Sequence, residues 1–349
     1  MNTLKQMENN TFDPNAIGIP NGNYFGFPTT PEEAKLILLS FPWDVTTSYR
    51  TGASKGPQAI MDASMQLDFY NSRVPAAWES PIASIAPEAE IIQRNHYFRN
   101  FAKIAIDQLE KGINPKDHDL LRLTRTINRG CEYLNTMVYA HSKQYLDQGK
   151  QVGIVGGDHS VPLGLIKALT EKHNNFAVLQ IDAHADLRKS YMGFKYSHAS
   201  IMYNVMQLPN ISHLVQVGIR DVCQEEMDRA RSDHRIRQFT DEDLAVRMLR
   251  GDTWETLSTE IIAALPEKVY ISFDIDGLDP SLCPNTGTPV PGGLLFNHIL
   301  FLIHQLASSG KKIVGFDLCE VAPGKENTWD ANVGARVLYL LALLAITNG

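Results

Sequence analysis

Six short runs of nearly continuous apolarity constrain what this chain can fold into: KLILLSF from Lys35, QVGIV (151–155), FAVLQID (176–182), LVQVGI (214–219), KVYISFD (268–274) and KIVGFDL (312–318). Each has strand length, and a polar loop and a helical stretch follow it. Strands alternating with helices indicate βαβ units and a parallel sheet. A strand with one face in water would alternate apolar and polar residues, so unbroken runs mean that helices cover both faces. The intervening stretches carry their own punctuation. GPQAIMDASMQLDFY begins at Gly56 with Pro57 placed where a helix would start. Residues 97–111 and 119–148 have helical spacing, with Gly149 as a stop. VPLGLIKALTEKH has Ser160 as an N-cap and Pro162 in its first turn. Residues 1–30, rich in Asn, Gly, Pro and Thr, read as an irregular arm, and residues 31–349 as one α/β/α domain.

Composition narrows the class. A chain of 349 residues can bury a large core without covalent staples. The net charge of −7 and an isoelectric point near 5.9 argue against nucleic acid, which selects a basic face, and suit a small cationic substrate. The four cysteines (Cys131, Cys223, Cys283, Cys319) form no close pair and no CxxC, so neither a disulfide framework nor a thiolate metal site is expected. The polar first residues and the lack of ~18 consecutive apolar residues predict no leader and no membrane partner. The default expectation is a soluble cytoplasmic protein.

In an open parallel sheet the ligand site lies beyond the carboxyl ends of the strands, at a topological switch point. Four strand ends here carry carboxylates and imidazoles: GGDHS (156–160), DAHAD (182–186), DIDGLDP (274–280) and EVAP (320–323). Residues two apart on extended chain face the same side. Asp182, His184 and Asp186 would then present three heads to one spot, and Asp274 and Asp276 two more. With His159 the set is four carboxylates and two imidazoles. Crowded carboxylates repel one another unless cations intervene. Two divalent ions would neutralise them, and oxygen and nitrogen donors without thiolate suit Mn²⁺, with Fe, Co, Ni or Zn as alternatives. Taken singly GGDHS and DIDGLDP have a plain structural reading as a turn or a helix cap, whereas the three heads of DAHAD are poorly explained by solvation alone; the succession of the motifs on one sheet points to a centre.

From about Lys35 onward the chain resembles the arginase/agmatinase (ureohydrolase) family. GGDHS, DAHAD and SFDIDGLDP…TGTPVPGG match its three metal signatures in order. The resemblance implies a three-layer α/β/α sandwich with a mostly parallel eight-stranded sheet, assembled as a trimer or hexamer. It implies that His159, Asp182, His184, Asp186, Asp274 and Asp276 hold two Mn²⁺ per chain. His198, in YSHAS, falls where the family has its proton-shuttling histidine, and Glu320 where it has the acid that pairs with the substrate guanidinium. The implied reaction hydrolyses a guanidino C–N bond and releases urea. Metals would acidify a bridging water, Asp186 would orient it, Glu320 would position the guanidinium and His198 would protonate the departing amine.

The substrate is less constrained. Arginase-like members carry Asn two residues beyond the last Asp of DxHxD, where this chain has Arg188. DLR resembles agmatinase-like and formiminoglutamase-like members, but the latter generally lack the histidine supplied by His198. FPWDVTTSYRTGASKGPQAI (41–60) looks like the agmatinase N-terminal loop, which favours agmatine, cleaved to putrescine and urea. The segment GKENTWDANVGARVLY departs from that pattern. Arg188 turned inward would favour guanidinobutyrate, and a pocket closed by Trp329 would favour free guanidine. A formiminoglutamase, a one-zinc deacylase of similar fold and a catalytically silent metal-binding scaffold remain as alternatives. Asp186, His198 and Glu320 are thus the candidate catalytic residues, and Glu320, Arg188 and Trp329 the candidate substrate contacts.

Overall fold

A computed structural model describes residues 12–325 and 327–348. Each apolar run forms a strand: β1 (Leu36–Phe41), β3 (Gln151–Gly156), β4 (Phe176–Ile181), β5 (Ile211–Val217), β7 (Lys268–Asp274) and β8 (Lys312–Cys319). Two further strands, β2 (Ile82–Ile85) and β6 (Ile236–Phe239), were not expected. Both are four residues long and partly polar, IASI and IRQF, and they form the two sheet edges. An edge strand pairs on one side only, so it shows little of the apolar excess by which central strands are recognised.

All eight strands pair in parallel, in the order β2-β1-β3-β8-β7-β4-β5-β6. The chain lays down β1, adds β2 outside it and β3 inside it, and then runs outward from β4 through β5 to β6. It then returns to fill the gap with β7 and β8. Winding therefore reverses at the centre, and the carboxyl ends of β3, β8, β7 and β4 open a crevice. These are the four strand ends that carry the motifs.

The helices are α1 (Gly56–Ser64), α2 (Ala89–Glu110), α3 (His118–Asp147), α4 (Leu163–Lys172), α5 (Ile201–Val205), α6 (Gln224–Ser232), α7 (Asp241–Leu249), α8 (Trp254–Ala263), α9 (Phe296–Ser308) and α10 (Trp329–Asn348). One sheet face packs against α2 to α6 through residues such as Phe98, Leu134, Ile166 and Met202. The other packs against α1 and α7 to α10 through Ile60, Leu244, Leu257, Leu302 and Leu341. α3 starts on Asp117, whose carboxylate accepts from the Asp119 and Leu120 N–H groups at 3.0 and 3.2 Å. It stops just before Gly149, whose φ of 76° a side chain would resist. By length and hydropathy α10 could cross a membrane, but 78% of its most apolar stretch is buried against the sheet and neighbouring helices.

Two local expectations need correction. Residues 12–30 contain only a 3₁₀ turn (Tyr24–Gly26), yet Tyr24, Phe25 and Phe27 are fully buried beside Phe69 and Tyr339. Over those residues the arm is core, because its aromatics cover the α1–α10 face; residues 1–11 lie outside the described part. α4 starts at Leu163 behind Pro162, and Ser160 does not cap it. The Ser160 hydroxyl donates to Asp158 instead, closing the turn that carries His159.

Candidate metal centre

Beyond β3 the chain turns sharply, and the turn needs glycine. The Gly157 N–H donates to Phe41 O at 3.0 Å and the Asp158 N–H to Trp43 O at 2.7 Å. A Cβ on Gly157 would lie 1.9 Å from Trp43 O, a backbone atom with nowhere to go. Gly157→Ala should therefore destabilise the protein by at least the ~1–3 kcal/mol typical of overpacking. An unchanged melting temperature would show that this turn can shift. Inside the turn Asp158 is fully buried, and burial raises its carboxyl to about 6.

The turn delivers His159, 1% exposed, into a ring of carboxylates. Its Nδ1 lies 3.0 Å from Asp182 Oδ2, 3.1 Å from Asp186 Oδ2 and 3.3 Å from Asp274 Oδ2. Its Nε2 is 2.8 Å from Ser272 Oγ. Alongside, His184 Nδ1 lies 3.1 Å from Asp276 Oδ2 and 3.6 Å from Asp182 Oδ1. His159, Asp182 and Asp274 form one group able to hold a metal ion, and Asp182, His184 and Asp276 a second; within each, ligand atoms lie within 4.8 Å of one another. Asp182 belongs to both, its Oδ2 facing His159 and its Oδ1 facing His184.

All six expected ligands thus converge, but not through period-two spacing on extended chain. β4 ends at Ile181, and Asp182 then takes the His184 N–H on Oδ1 at 2.6 Å, turning the chain out of the sheet. Asp186 sits at a φ of 53°, a left-handed conformation that costs a non-glycine residue about 1–3 kcal/mol. After β7 a 3₁₀ turn (Ile275–Gly277) replaces extended chain, with Asp274 Oδ1 accepting from the Asp276 N–H at 2.9 Å. Turns, not a pleat, aim these heads.

The electrostatics agree with a cation site. Burial, then the Asp182 charge, raises Asp186 to about 7. Burial, then Asp276 and Asp182, lifts Asp274 well above the carboxylate range. Acids packed so closely cannot all ionise without positive charge between them. Oxygen and imidazole donors in two adjoining groups fit two divalent ions.

His198 opens a 3₁₀ turn and donates its N–H to Thr46 Oγ1 at 3.2 Å. Its Nδ1 is 3.7 Å from Glu320 Oε1, and its Nε2 has no partner. Burial, with the neighbouring His184 and His159 adding to it, lowers its pKa to about 3, so the ring is neutral near pH 7. Glu320, just past β8 at a φ of 63°, is 3% exposed. Its Oε1 accepts from the His159 N–H at 2.9 Å, and its Oε2 has no partner.

A cavity of about 140 Å³ leads to these groups, with His184, Asp186 and His198 in its wall and Arg188, Asp221 and Glu226 around it. Arg188 Nε is 3.4 Å from Glu226 Oε2, and its guanidinium lies 4.9 Å from the Tyr191 ring centre. The Asp221 side chain is 70% exposed, with Oδ2 3.9 Å from His184 Nε2. Trp329 does not join this wall. It is half exposed at the start of α10, where its Nε1 is held by donating to Ser281 O at 2.9 Å. Cys283 and Cys319 are buried, the former donating to Ile275 O.

Sequence reasoning missed Asp221, Glu226, Ser272 and Asp317. The first two follow β5, a fifth strand end. The last two are polar residues inside apolar runs, and that exception is the signal that could have found them.

Comparison with known proteins settles the lineage. The profile described as the Arginase family matches residues 34–344. This chain belongs to the arginase family. An N(1)-aminopropylagmatine ureohydrolase of Thermus thermophilus is 31% identical to this arginase-family chain over 93% of its length and 96% of the relative's. An agmatinase of Bacillus anthracis is 28% identical over 87% and 89%. Among solved structures, the agmatine ureohydrolase of Thermoplasma volcanium superposes with a TM-score of 0.70 at 25% identity, covering 94% of this chain and 96% of that one. As an arginase-family ureohydrolase the protein is a metal-dependent hydrolase of guanidino groups.

Proposed function

We propose that the substrate is an unbranched aminoalkylguanidine, agmatine or its N-aminopropyl derivative, hydrolysed to urea and the free amine. The observation that carries this reading is the pairing of Arg188 with Glu226, which leaves the exposed Asp221 carboxylate, 3.9 Å from His184 Nε2, as the acid at the cavity mouth that Arg188 does not engage. A distal ammonium is attracted there, whereas a distal carboxylate is repelled. The narrow cavity suits a slender chain. Relatives named for both substrates support the class.

His159, Asp182, His184, Asp186, Asp274 and Asp276 would hold two divalent ions, Mn²⁺ by our reading or Ni²⁺ as the alternative, which supply Lewis acidity and an acidified water near neutral pH. The other steps belong to side chains. The unpartnered Glu320 Oε2 is a buried acceptor suited to a guanidinium N–H, and such a contact fixes the carbon in place. Neutral His198, with a free Nε2, can take the proton released on attack and hand it to the departing amine. Asp186 lies between the ligand cluster and the cavity and can accept a hydrogen bond from the attacking water.

Urea release from agmatine, N-aminopropylagmatine, arginine, guanidinobutyrate and guanidine, each with Mn²⁺, tests the proposal. The two amines should show the highest kcat/KM. Asp221→Asn should raise KM for them a few-fold, since an exposed ion pair contributes about 0.2–1 kcal/mol, and leave guanidine unaffected. Arg188→Ala should alter all of them little beyond lost packing. Preference for guanidinobutyrate or guanidine over both amines would overturn this substrate assignment while leaving the metal chemistry in place. We further expect a homo-oligomer in the cytoplasm, which sizing by light scattering and cell fractionation would test.

A further inference from the structure

We infer that Gln180, Gln216 and Gln238 form a line of positioning residues that holds Asp182 in its bridging orientation. The three lie on β4, β5 and β6 in direct register, Gln180 opposite Gln216 and Gln216 opposite Gln238. The same row continues across the sheet, with Gln180 opposite Ser272 on β7 and Ser272 opposite Asp317 on β8. Five neighbouring strands thus place a polar residue at one level, just beneath the ligand cluster. Gln180, Gln216, Ser272 and Asp317 are all fully buried. Burying an amide costs free energy unless it is hydrogen-bonded, so such a row inside apolar runs needs a reason.

The hydrogen bonds run in one direction. Gln238 Nε2 donates to Gln216 Oε1 at 2.8 Å. Gln216 Nε2 donates to Gln180 Oε1, and to Ala185 O at 2.7 Å. Gln180 Nε2 donates to Asp182 Oδ2 at 2.7 Å and to His184 O at 3.1 Å. Carbonyl oxygens only accept, so Ala185 O and His184 O fix which way two of these amides face. Every –NH₂ group therefore points toward the centre and every side-chain oxygen toward the sheet edge. Aligned hydrogen bonds of this kind polarise and strengthen one another.

The target is the carboxylate that both ligand groups share. Asp182 turns Oδ1 toward His184 and Oδ2 toward His159, so a shared carboxylate would serve the two groups through different oxygens. The terminal torsion of an aspartate is soft, so its oxygens need external anchors. The His184 N–H anchors Oδ1, and Gln180 anchors Oδ2. Without Gln216 the Gln180 amide loses the donor that keeps its oxygen turned away from Asp182. Gln238, half-buried at the sheet edge about 10 Å away across two strand spacings, completes the line.

This inference rests on reading Asp182 as the shared ligand of a two-metal centre. Its test titrates Mn²⁺ alone into metal-stripped full-length protein, following stoichiometry and affinity by chelator competition. Wild-type protein should bind two Mn²⁺. Gln216→Leu should bind the weaker Mn²⁺ about 10–100-fold less tightly, the range for lost partners of a metal ligand, with most of the kcat recovered at saturating Mn²⁺. Gln238→Leu, at the edge and tolerant of folding, should show a smaller loss of the same kind. Val215→Ala, beside the line but on the opposite face, should lower the melting temperature yet leave Mn²⁺ affinity unchanged. Two tightly bound Mn²⁺ in both glutamine variants would overturn the inference. So would an equal loss of affinity in Val215→Ala. Fewer than two Mn²⁺ in the wild type would overturn the two-metal reading itself, a separate result.

Discussion

His198→Ala should keep its metal ions and lose about 10²–10⁴-fold in turnover, the span for a removed proton-transfer group. The ring is placed for proton transfer, since Nδ1 faces Glu320 at 3.7 Å, Nε2 is free, and the imidazole belongs to the cavity wall. Burial holds its pKa down, so it rests as the neutral free base at neutral pH, with Nε2 open toward the cavity. It donates no ligand atom to either metal group, so elemental analysis should still find two ions per chain. A drop in metal content with activity would make His198 a ligand or a support. An unaltered rate would leave it only the structural role of starting a 3₁₀ turn.

Asp182→Asn should do the opposite, removing metal first. The change keeps the shape but deletes a negative charge and turns one oxygen into a donor. One of the two groups then loses its share of Asp182. Metal content should fall to one ion or none. A metal centre supplies several kcal/mol of transition-state stabilisation; at about 1.4 kcal/mol per tenfold, turnover should fall by roughly 10³-fold or more. Retention of two ions and of normal turnover would show that Asp182 is not shared.

These residues could be named before the structure was known because strand ends in a parallel sheet converge, and apolar runs mark the strands. Six of the eight strands were recognisable for that reason. β2 and β6 were not, since IASI and IRQF bury too little to stand out. The ligand set was readable in GGDHS, DAHAD and DIDGLDP, but the manner of convergence was not. Asp186 reaches the cluster through a positive φ and Asp276 through a 3₁₀ turn, conformations that residue spacing does not encode. Asp221 and Glu226 follow β5 singly, with no run of paired carboxylates or imidazoles at that strand end to mark them. Trp329 is unusual in the sequence, yet its indole bonds Ser281 O and lies outside the cavity wall, a placement that no periodicity reports. Arg188 could face either way until Glu226, 38 positions later, was seen beside it.

The order of strands also governs how the protein is made. β8 lies between β3 and β7, yet it comes from residues 312–319, close to the end of the described chain. During synthesis β3, and later β7, are both made before the strand that separates them. Until it arrives, their proper spacing of about 10 Å, two strand widths, has nothing to fill it. His159 and Asp274, which end up 3.3 Å apart, come from those two strands. A chain made only as far as β7 and its following turn therefore holds all six proposed ligands but not their arrangement. The group formed by His159, Asp182 and Asp274 cannot take its final arrangement until residues 312–319 have been added.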